Sequence, residues 1–219
     1  MEEFFPVLGR CPLFAGLEEG QLPTLLSQLS PIRCRRSRGE ALLQPGDQAP
    51  GVGLVLSGGL RVVREDFWGN RSLLAALGPG ELFAEAFACA GEPLTVRVEA
   101  VQETEVLFFP ARALLEPPPG GEFLPGRLLE LTARRNLVLN RTIGHLSQRT
   151  TRAKALSYLS WQAAQAGSAS FEIPLNRQEL ADYLSVDRSA LSAQLSQLRR
   201  EGVLDFRRSR FTLLRPPEE

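Results

Sequence analysis

Residues 176–201 constrain this chain more than any other stretch, because two helix starts follow one another there in quick succession. In Leu175-Asn176-Arg177-Gln178-Glu179-Leu180, Asn176 can accept from the free backbone N–H groups of a first turn, and Glu179 can reach back to complete a capping box. Leu175 and Leu180 stand at the two positions of a hydrophobic staple. The same grammar recurs with Val186, Asp187 and Leu191. Leu191, Leu195 and Leu198 then repeat at helical spacing, and Gly202 marks the stop. Two capped helices joined by a three-residue corner form the pattern of a helix-turn-helix, although a plain helical hairpin would share it. The residues that follow separate the two. Val203-Leu204-Asp205-Phe206, the turn Arg207-Arg208-Ser209-Arg210, and Phe211-Thr212-Leu213-Leu214 read as a small hairpin with a cationic tip. That is the layout of a winged helix-turn-helix, a device for binding DNA.

The formal net charge of zero hides an asymmetry. Residues 1–120 carry 10 basic and 15 acidic groups, residues 121–149 carry 5 and 2, and residues 150–219 carry 10 and 8. Two of those last acids are the terminal Glu218 and Glu219. Nucleic acid is therefore expected at the C-terminal segment and not at the acidic half. Lys154 is the sole lysine, so the remaining basic charge is arginine, the residue suited to bidentate contacts. No apolar run approaches the ~20 residues that span a bilayer. Met1-Glu2-Glu3-Phe4-Phe5 is acidic where a signal peptide is basic, so a cytoplasmic protein without a membrane partner is expected. Cys11, Cys34 and Cys89 are widely spaced, and His145 is the single histidine, so no zinc site is expected. The cysteines read as small apolar residues, with redox sensing as the alternative. With no phosphate loop and no paired Cys/His or Ser/His set, an enzyme is not expected.

Along the chain, residues 11–30 read as a short amphipathic helix through Leu22, Leu25, Leu26 and Leu29, after Cys11-Pro12-Leu13-Phe14-Ala15-Gly16-Leu17-Glu18-Glu19. Short apolar runs follow: Ala41-Leu42-Leu43, Leu54-Val55-Leu56, Leu60-Arg61-Val62-Val63-Arg64, Val96-Arg97-Val98 and Glu105-Val106-Leu107-Phe108-Phe109. Glycine-bearing turns such as Ser57-Gly58-Gly59, Gly69-Asn70 and Gly78-Pro79-Gly80 punctuate them, which indicates an antiparallel sandwich or barrel. Pro117-Pro118-Pro119-Gly120-Gly121 breaks the pattern. Beyond it Leu129, Thr132, Asn136, Leu139, Ile143 and Leu146 alternate at spacings of three and four, a heptad seam with Asn136 as a register-setting polar position. The seam points to a homodimer, although a helix packing on its own domain gives a similar stripe. Thr150-Thr151 is expected to cap the next helix.

In this order the residues resemble the cyclic-AMP receptor protein / fumarate-nitrate regulator (CRP/FNR) family over almost the whole chain. The resemblance rests on Cys-Pro-Leu-Phe-Ala-Gly-Leu at 11–17, Leu-Ser-Gly-Gly-Leu-Arg-Val at 56–62 and Pro-Gly-Glu-Leu-Phe-Ala-Glu-Ala at 79–86. Arg-Gln-Glu-Leu-Ala-Asp-Tyr-Leu-Ser-Val-Asp-Arg-Ser at 177–189 completes it. It implies an α+β chain with an antiparallel β-roll sensor domain over 1–120. A dimerisation helix over 121–149 and a winged helix-turn-helix over 150–219 follow. It also implies a homodimeric transcription regulator on a two-fold symmetric operator in double-stranded DNA, with RNA polymerase as a further partner. Carried over residue by residue, Arg188, Ser189 and Ala193 face base edges, Arg188 being able to grip a guanine bidentately. Ala193 departs from the second arginine of the cyclic-AMP receptor, so a different operator is expected. Gln194 and Gln197 are candidates for nearby polar contacts, and Arg177, Arg207, Arg208 and Arg210 for backbone contacts. Ser185 stands where many such corners have glycine, at a cost on the order of 1 kcal/mol if its φ is positive.

The effector is less determined. In cyclic-nucleotide sensors of the family a glutamate at the start of a short helix binds ribose, and an Arg-Ser or Arg-Thr pair holds the cyclic phosphate. Glu85, followed by Ala86, matches the glutamate, but the pair here reads Leu94-Thr95. Leucine cannot replace a cation opposite a phosphate, so cyclic AMP is not the expected effector. Arg97 is a substitute cation or a solvent-facing strand residue, and the purine-contacting positions of the dimer helix correspond to Leu139 and Asn140. The cysteine spacing does not match an iron–sulfur sensor. A haem sensor through His145 or a cysteine, a small apolar or anionic effector, and constitutive activity all remain open. Control is expected to run through the dimer helix and a hinge at residues 148–152. The alternative class is a ligand-binding or protein-interaction module that keeps a degenerate DNA-binding domain.

Overall fold

A computed structural model describes residues 2–17, 20–65, 68–69 and 71–214. Glu18, Glu19, Asn70, Glu218 and Glu219, which entered the sequence reading, lie outside the described residues. The chain divides into two compact units, residues 1–134 and 135–219.

The first unit begins with α1 (Phe5–Arg10) and α2 (Gln21–Leu29). Eight strands follow: β1 (Ile32–Arg36), β2 (Ala41–Leu43), β3 (Val52–Ser57), β4 (Leu60–Glu65), β5 (Arg71–Leu77), β6 (Leu82–Phe83), β7 (Arg97–Ala100) and β8 (Thr104–Phe109). A short α3 (Glu85–Ala90) separates β6 from β7, and α4 (Ala111–Leu115) follows β8. One sheet has the order β1-β8-β3-β6 and the other β2-β7-β4-β5, with every pairing antiparallel. Val55, Val106, Phe108 and Phe83 of the first sheet meet Leu43, Leu60, Val98 and Ala100 of the second in one apolar interior. The opposite face of the first sheet, with Val52, Leu54, Leu56, Leu107 and Phe109, packs on Leu8, Leu25, Leu29, Leu114 and Leu124. Because both faces are covered, β3 is apolar almost throughout instead of alternating. The second sheet has one face in solvent, so on β4 Leu60 turns inward and Arg61 outward. Gly53 is required by close approach: a Cβ there would lie 2.2 Å from the Phe83 ring.

The expected continuous helix over 11–30 is corrected. Residues 11–16 form turns and only Gln21–Leu29 is helical. Pro12 and Gly16, at φ +89°, interrupt the chain, while Leu13 and Phe14 are buried as anchors, the Phe14 ring centroid lying 5.3 Å from that of Phe109. Helix α1, with Pro6 in its first turn, carried no periodic signal long enough to be read.

Helix α5 (Leu124–Leu146) starts in the first unit and ends in the second. The second unit continues with α6 (Thr151–Ala166), β9 (Ser170–Glu172), α7 (Arg177–Tyr183), α8 (Arg188–Arg200), β10 (Leu204–Arg207) and β11 (Arg210–Leu213). Thr150 caps α6 through its hydroxyl, which accepts from the Ala153 N–H at 3.1 Å. The capping box of α7 is complete: Asn176 Oδ1 accepts from Gln178 and Glu179 N–H, and Glu179 Oε2 accepts from Asn176 N–H at 2.7 Å. Asp187 Oδ1 accepts from the N–H groups of Ser189 and Ala190 and so starts α8. Leu191, Leu195 and Leu198 are wholly buried with Leu180, Leu184, Leu159 and Phe211. Lys154 adds a lock that sequence spacing could not show. Its ammonium donates to the Leu184 carbonyl at the end of α7, at 3.0 Å.

Two features of this unit generate tests. Ser185 adopts φ +49°, a left-handed conformation that disfavours a Cβ. Ser185→Gly should raise stability by up to about 1 kcal/mol, read as a higher denaturant midpoint at unchanged slope, since the relieved strain exceeds glycine's extra unfolded-state entropy. His145 is 4% exposed, packed by the rings of Tyr158, Trp161 and Tyr183 with centroids 5.8–6.3 Å away. Its Nδ1 is 2.8 Å from Ser157 Oγ, and among the described residues its Nε2 has no hydrogen-bond partner. Burial, and then the nearby Arg141 guanidinium, lower its pKa below the ordinary histidine value. The His145 contribution to stability is therefore intact above about pH 6.5 and is lost as the pH falls below it toward the folded-state value. Thermal melts between pH 7.5 and 5 should show this loss, and His145→Phe should flatten the pH dependence.

Candidate nucleic-acid interface

Helix α8 spans 13 residues, about 20 Å. Its Leu191, Leu195 and Leu198 stripe is buried, which turns Ser189, Ala193 and Gln197 to solvent on the opposite side. Arg188, the first residue of the helix, is exposed as well. Gln194 is half-buried at the flank. Two side chains are already engaged. The Ser189 hydroxyl donates to Asp187 Oδ1, so what it can offer a base is its acceptor lone pairs. Gln197 Nε2 donates to Glu201 Oε1 at 2.9 Å. Glu201 in turn pairs with Arg152 of α6 at 2.6 Å, tying the end of α8 to its supporting helix.

The wing is a two-residue hairpin in which Arg207 lies directly opposite Arg210. Arg208, at the tip, is held at φ +56°. All three arginines are exposed. Like charges facing one another across a hairpin are unfavourable unless an anion lies between or beside them. The tip is fixed from behind, where the Ser209 carbonyl accepts from Ile173 N–H at 2.9 Å and the Ser209 hydroxyl donates to Glu172 at 3.2 Å. Arg177 does not share this exposed setting. Its guanidinium lies over the rings of Phe206 and Phe211, 5.0 and 5.5 Å from their centroids, and burial lowers its pKa. It joins α7 to the wing, beside a cleft of about 180 Å³ lined by Asn176, Arg208 and Ser209.

The effector-pocket candidates of the sequence differ in exposure and surroundings. Glu85 opens α3 and is 7% exposed, while Ala86 and Thr95 are exposed. Leu94 is 2% exposed and belongs to the apolar interior with Phe83, Val96 and Phe108. A cyclic phosphate at that position would meet hydrocarbon, so the residues present do not fit a cyclic nucleotide in the family's manner. Of its two readings, Arg97 takes the strand position outside the roll interior. It alternates with the inward Val96 and Val98, so it lies on the outer face, and there its Nε is bound to Glu99 Oε2 at 3.1 Å. Leu139 and Asn140 are exposed on α5, and Asn140 Nδ2 donates to Asn136 Oδ1 at 2.7 Å within the helix.

The expected seam residues lie on α5 with different exposures. Leu129, Leu139 and Ile143 are 70%, 62% and 59% exposed, as are the adjoining Leu137 and Val138 at 61% and 55%. Thr132 and Leu146 are half-buried, and Asn136 is exposed. Burial raises the Cys11 thiol pKa to about 11 and also raises that of Cys89, so neither is set up as a reactive thiolate. Among the described residues, no group of His, Cys, Asp and Glu is placed to hold a metal ion. No helix among them is long and apolar enough to cross a membrane.

Comparison with known proteins matches both parts of the chain. Residues 34–116 match the cyclic nucleotide-binding domain family and residues 153–218 the Crp-like helix-turn-helix domain family. The chain is 29% identical over 193 residues to the cyclic AMP receptor protein of Thermus thermophilus, covering 88% of each chain. It is 27% identical to the transcriptional activator protein FnrL of Cereibacter sphaeroides, over 86% of this chain and 79% of that protein. Among solved structures, the Thermus thermophilus catabolite activator protein superposes with a TM-score of 0.53 at 27% identity, over 92% of this chain and 93% of the other. With the roll, the long helix and the capped helix pair in this order, the chain belongs to the CRP/FNR family of transcriptional regulators.

Proposed function

We propose that this regulator works as a cytoplasmic homodimer that reads a two-fold symmetric site in double-stranded DNA, with α8 in the major groove and the wing on the backbone. The observation that carries the reading is the pairing of an exposed, carboxylate-capped α8 with a hairpin tip where Arg207 and Arg210 face each other with no carboxylate partner among the described residues. Arg188 supplies the bidentate contact to a guanine, Ser189 accepts from a base amino group, and Ala193 leaves a gap fit for a thymine methyl. Arg207, Arg208 and Arg210 hold phosphates. The dimer forms along α5, where Leu129, Leu139 and Ile143 are otherwise left in water on one helix side. The sensor is 1–120, the dimer helix 121–149 and the reader 150–219. Its signal is not cyclic AMP, because Leu94 occupies the place of the phosphate-holding cation; RNA polymerase is the partner through which binding is converted to output.

Binding to in-vitro-selected sites, measured across salt, tests the assignment. Arg188→Ala should cost about 1–3 kcal/mol on the preferred site and relax preference at one base pair in each half-site. Arg207→Gln or Arg208→Gln should instead weaken all sequences alike and lower the salt slope by about 1 per half-site, about 2 for the dimer. Equal losses on every sequence for Arg188→Ala would contradict its role. A chain with no selective binding at any salt would point to a ligand-binding module with a degenerate reader.

Dimerisation is tested by Ile143→Ser and Leu139→Ser. Both side chains are exposed in the single chain, so neither change should lower its intrinsic stability much. In a two-fold dimer each loss counts twice, and about 1.5 kcal/mol per side weakens association by roughly 100-fold. Sedimentation should show the wild type at twice the chain mass and the double variant at the chain mass.

A further inference from the structure

The outer face of the second sheet carries a charge cluster for which the DNA-reading function has no use. Glu99 on β7 is 4% exposed although it lies on the solvent side of the sheet, because three arginines cover it. Arg61 Nε binds its Oε1, and Arg71 Nη2 and Arg97 Nε bind its Oε2 at 2.9 and 3.1 Å. The three come from β4, β5 and β7, so the cluster exists only once the sheet is paired. Burial acts to raise the Glu99 pKa, but Arg71 and Arg61 hold it below the usual carboxylate range, so it is an anion at neutral pH.

The stoichiometry is what calls for a ligand. On β1 Arg33 has two carboxylates, those of Glu105 and Glu3, Arg35 has that of Glu103, and Arg36 donates to the Ala41 and Arg35 carbonyls. At Glu99 three cations share one carboxylate, and among the described residues the other acid in reach is Glu65, 3.8 Å from Arg71 Nε. Among those residues at least one positive charge is left over even if Glu65 counts fully. The donors are left over as well. Arg61 and Arg97 each spend Nε on Glu99, and among the described residues no hydrogen bond takes their Nη groups. A guanidinium offers five N–H donors in a rigid fork. Here Glu99 orients three forks from beneath, while the arginine side chains keep 36–47% exposure above. This is pre-organisation: the side chains are already ordered, and water covers the unspent donors. The face is separate from the roll interior, since Val96 and Val98, which flank Arg97, point the other way.

We propose that Arg61, Arg71 and Arg97, gathered on Glu99, form a binding site on the outer sheet face for a multiply charged phosphoryl anion. Arginine forks match tetrahedral phosphoryl oxygens bidentately, and a diphosphate group spans more than one fork where a halide cannot. The site does not depend on the DNA-reading assignment.

The full chain, isotope-labelled and free of DNA, is titrated with inorganic pyrophosphate while the arginine Nε–Hε resonances are followed. The expected result is saturable movement of the Arg61, Arg71 and Arg97 signals. Arg97→Gln and Arg71→Gln should each weaken binding at least tenfold, Arg97→Lys less so, and Arg112→Gln, at an exposed pair elsewhere, not at all. Backbone spectra identify any variant that fails to fold; Arg97→Lys, which keeps the charge on Glu99, then decides by itself. A nucleoside triphosphate in a parallel arm should move the same signals, and tighter binding than pyrophosphate would add a base to the recognised group. Sodium chloride at matched ionic strength producing the same shifts would reduce the effect to screening and overturn the site. So would movement confined to the wing arginines, or no saturation.

Discussion

Strand β3 is buried on both faces, and the rest of the first unit is arranged to permit it. Val52, Leu54 and Leu56 turn to the helices, and Val55 turns to the roll interior. Neither half of that burial suffices alone, because a sheet this small loses much of its stabilising apolar area if one face is left in water. The arrangement limits what the roll can enclose. Gly53 on β3 makes room for the Phe83 ring, and Phe83 meets Phe108 edge-on with centroids 5.5 Å apart. Leu94 closes against the same cluster. At 2% exposure Leu94 offers hydrocarbon packing, and no cation, to the interior of the roll.

Carboxylates do the opposite job from apolar packing in this protein, since they fix where the arginines stand. Glu201 holds Arg152, Asp205 holds Arg199 at 2.7 Å, and Glu99 holds three. The two exposed pairs, Glu201–Arg152 and Asp205–Arg199, contribute little to stability, about 0–1 kcal/mol each. Their effect is positional, and it makes the exceptions informative. Arg207, Arg208 and Arg210 form no salt bridge among the described residues, and they project from the end of a hairpin. Charge that a fold leaves unpaired and advanced is charge available to a partner, whereas charge tethered to a carboxylate is available only in its remaining donors.

The fold and part of the site were legible because their signals are local. Asn176, Glu179 and Asp187 act on N–H groups two or three residues away, so the caps of α7 and α8 stand in the sequence as they do in space. The Leu191, Leu195, Leu198 stripe is likewise a single-helix property. What escaped reading depends on pairings across many residues. Glu99 meets Arg61 and Arg71 through strand register, 38 and 28 residues away. Lys154 finds the Leu184 carbonyl 30 residues on, and Arg177 finds the wing rings only because β10 and β11 fold back. Arg97 stayed open between two readings for a related reason. Alternation fixes which residues share a face, but only the pairing partners of β7 show which face is the interior.

Backbone strain marks the same places from a different direction. Of the four non-glycine residues at positive φ among the described residues, Ser30 ends α2; the other three, Ala84, Ser185 and Arg208, each cost roughly 1–2 kcal/mol against the right-handed alternative. Ala84 immediately precedes Glu85, Ser185 forms the corner that sets α8 against α7, and Arg208 is the wing tip. Glycine would relieve all three, so packing alone does not account for them. At Ala84 the methyl is half-buried against the roll interior, which gives back part of the cost. Arg208 has no such return, for its side chain is exposed and the hairpin closes as readily around glycine. A strained arginine between two opposed arginines is unfavourable twice over in the free chain, and both penalties fall when phosphate oxygens stand in front of it.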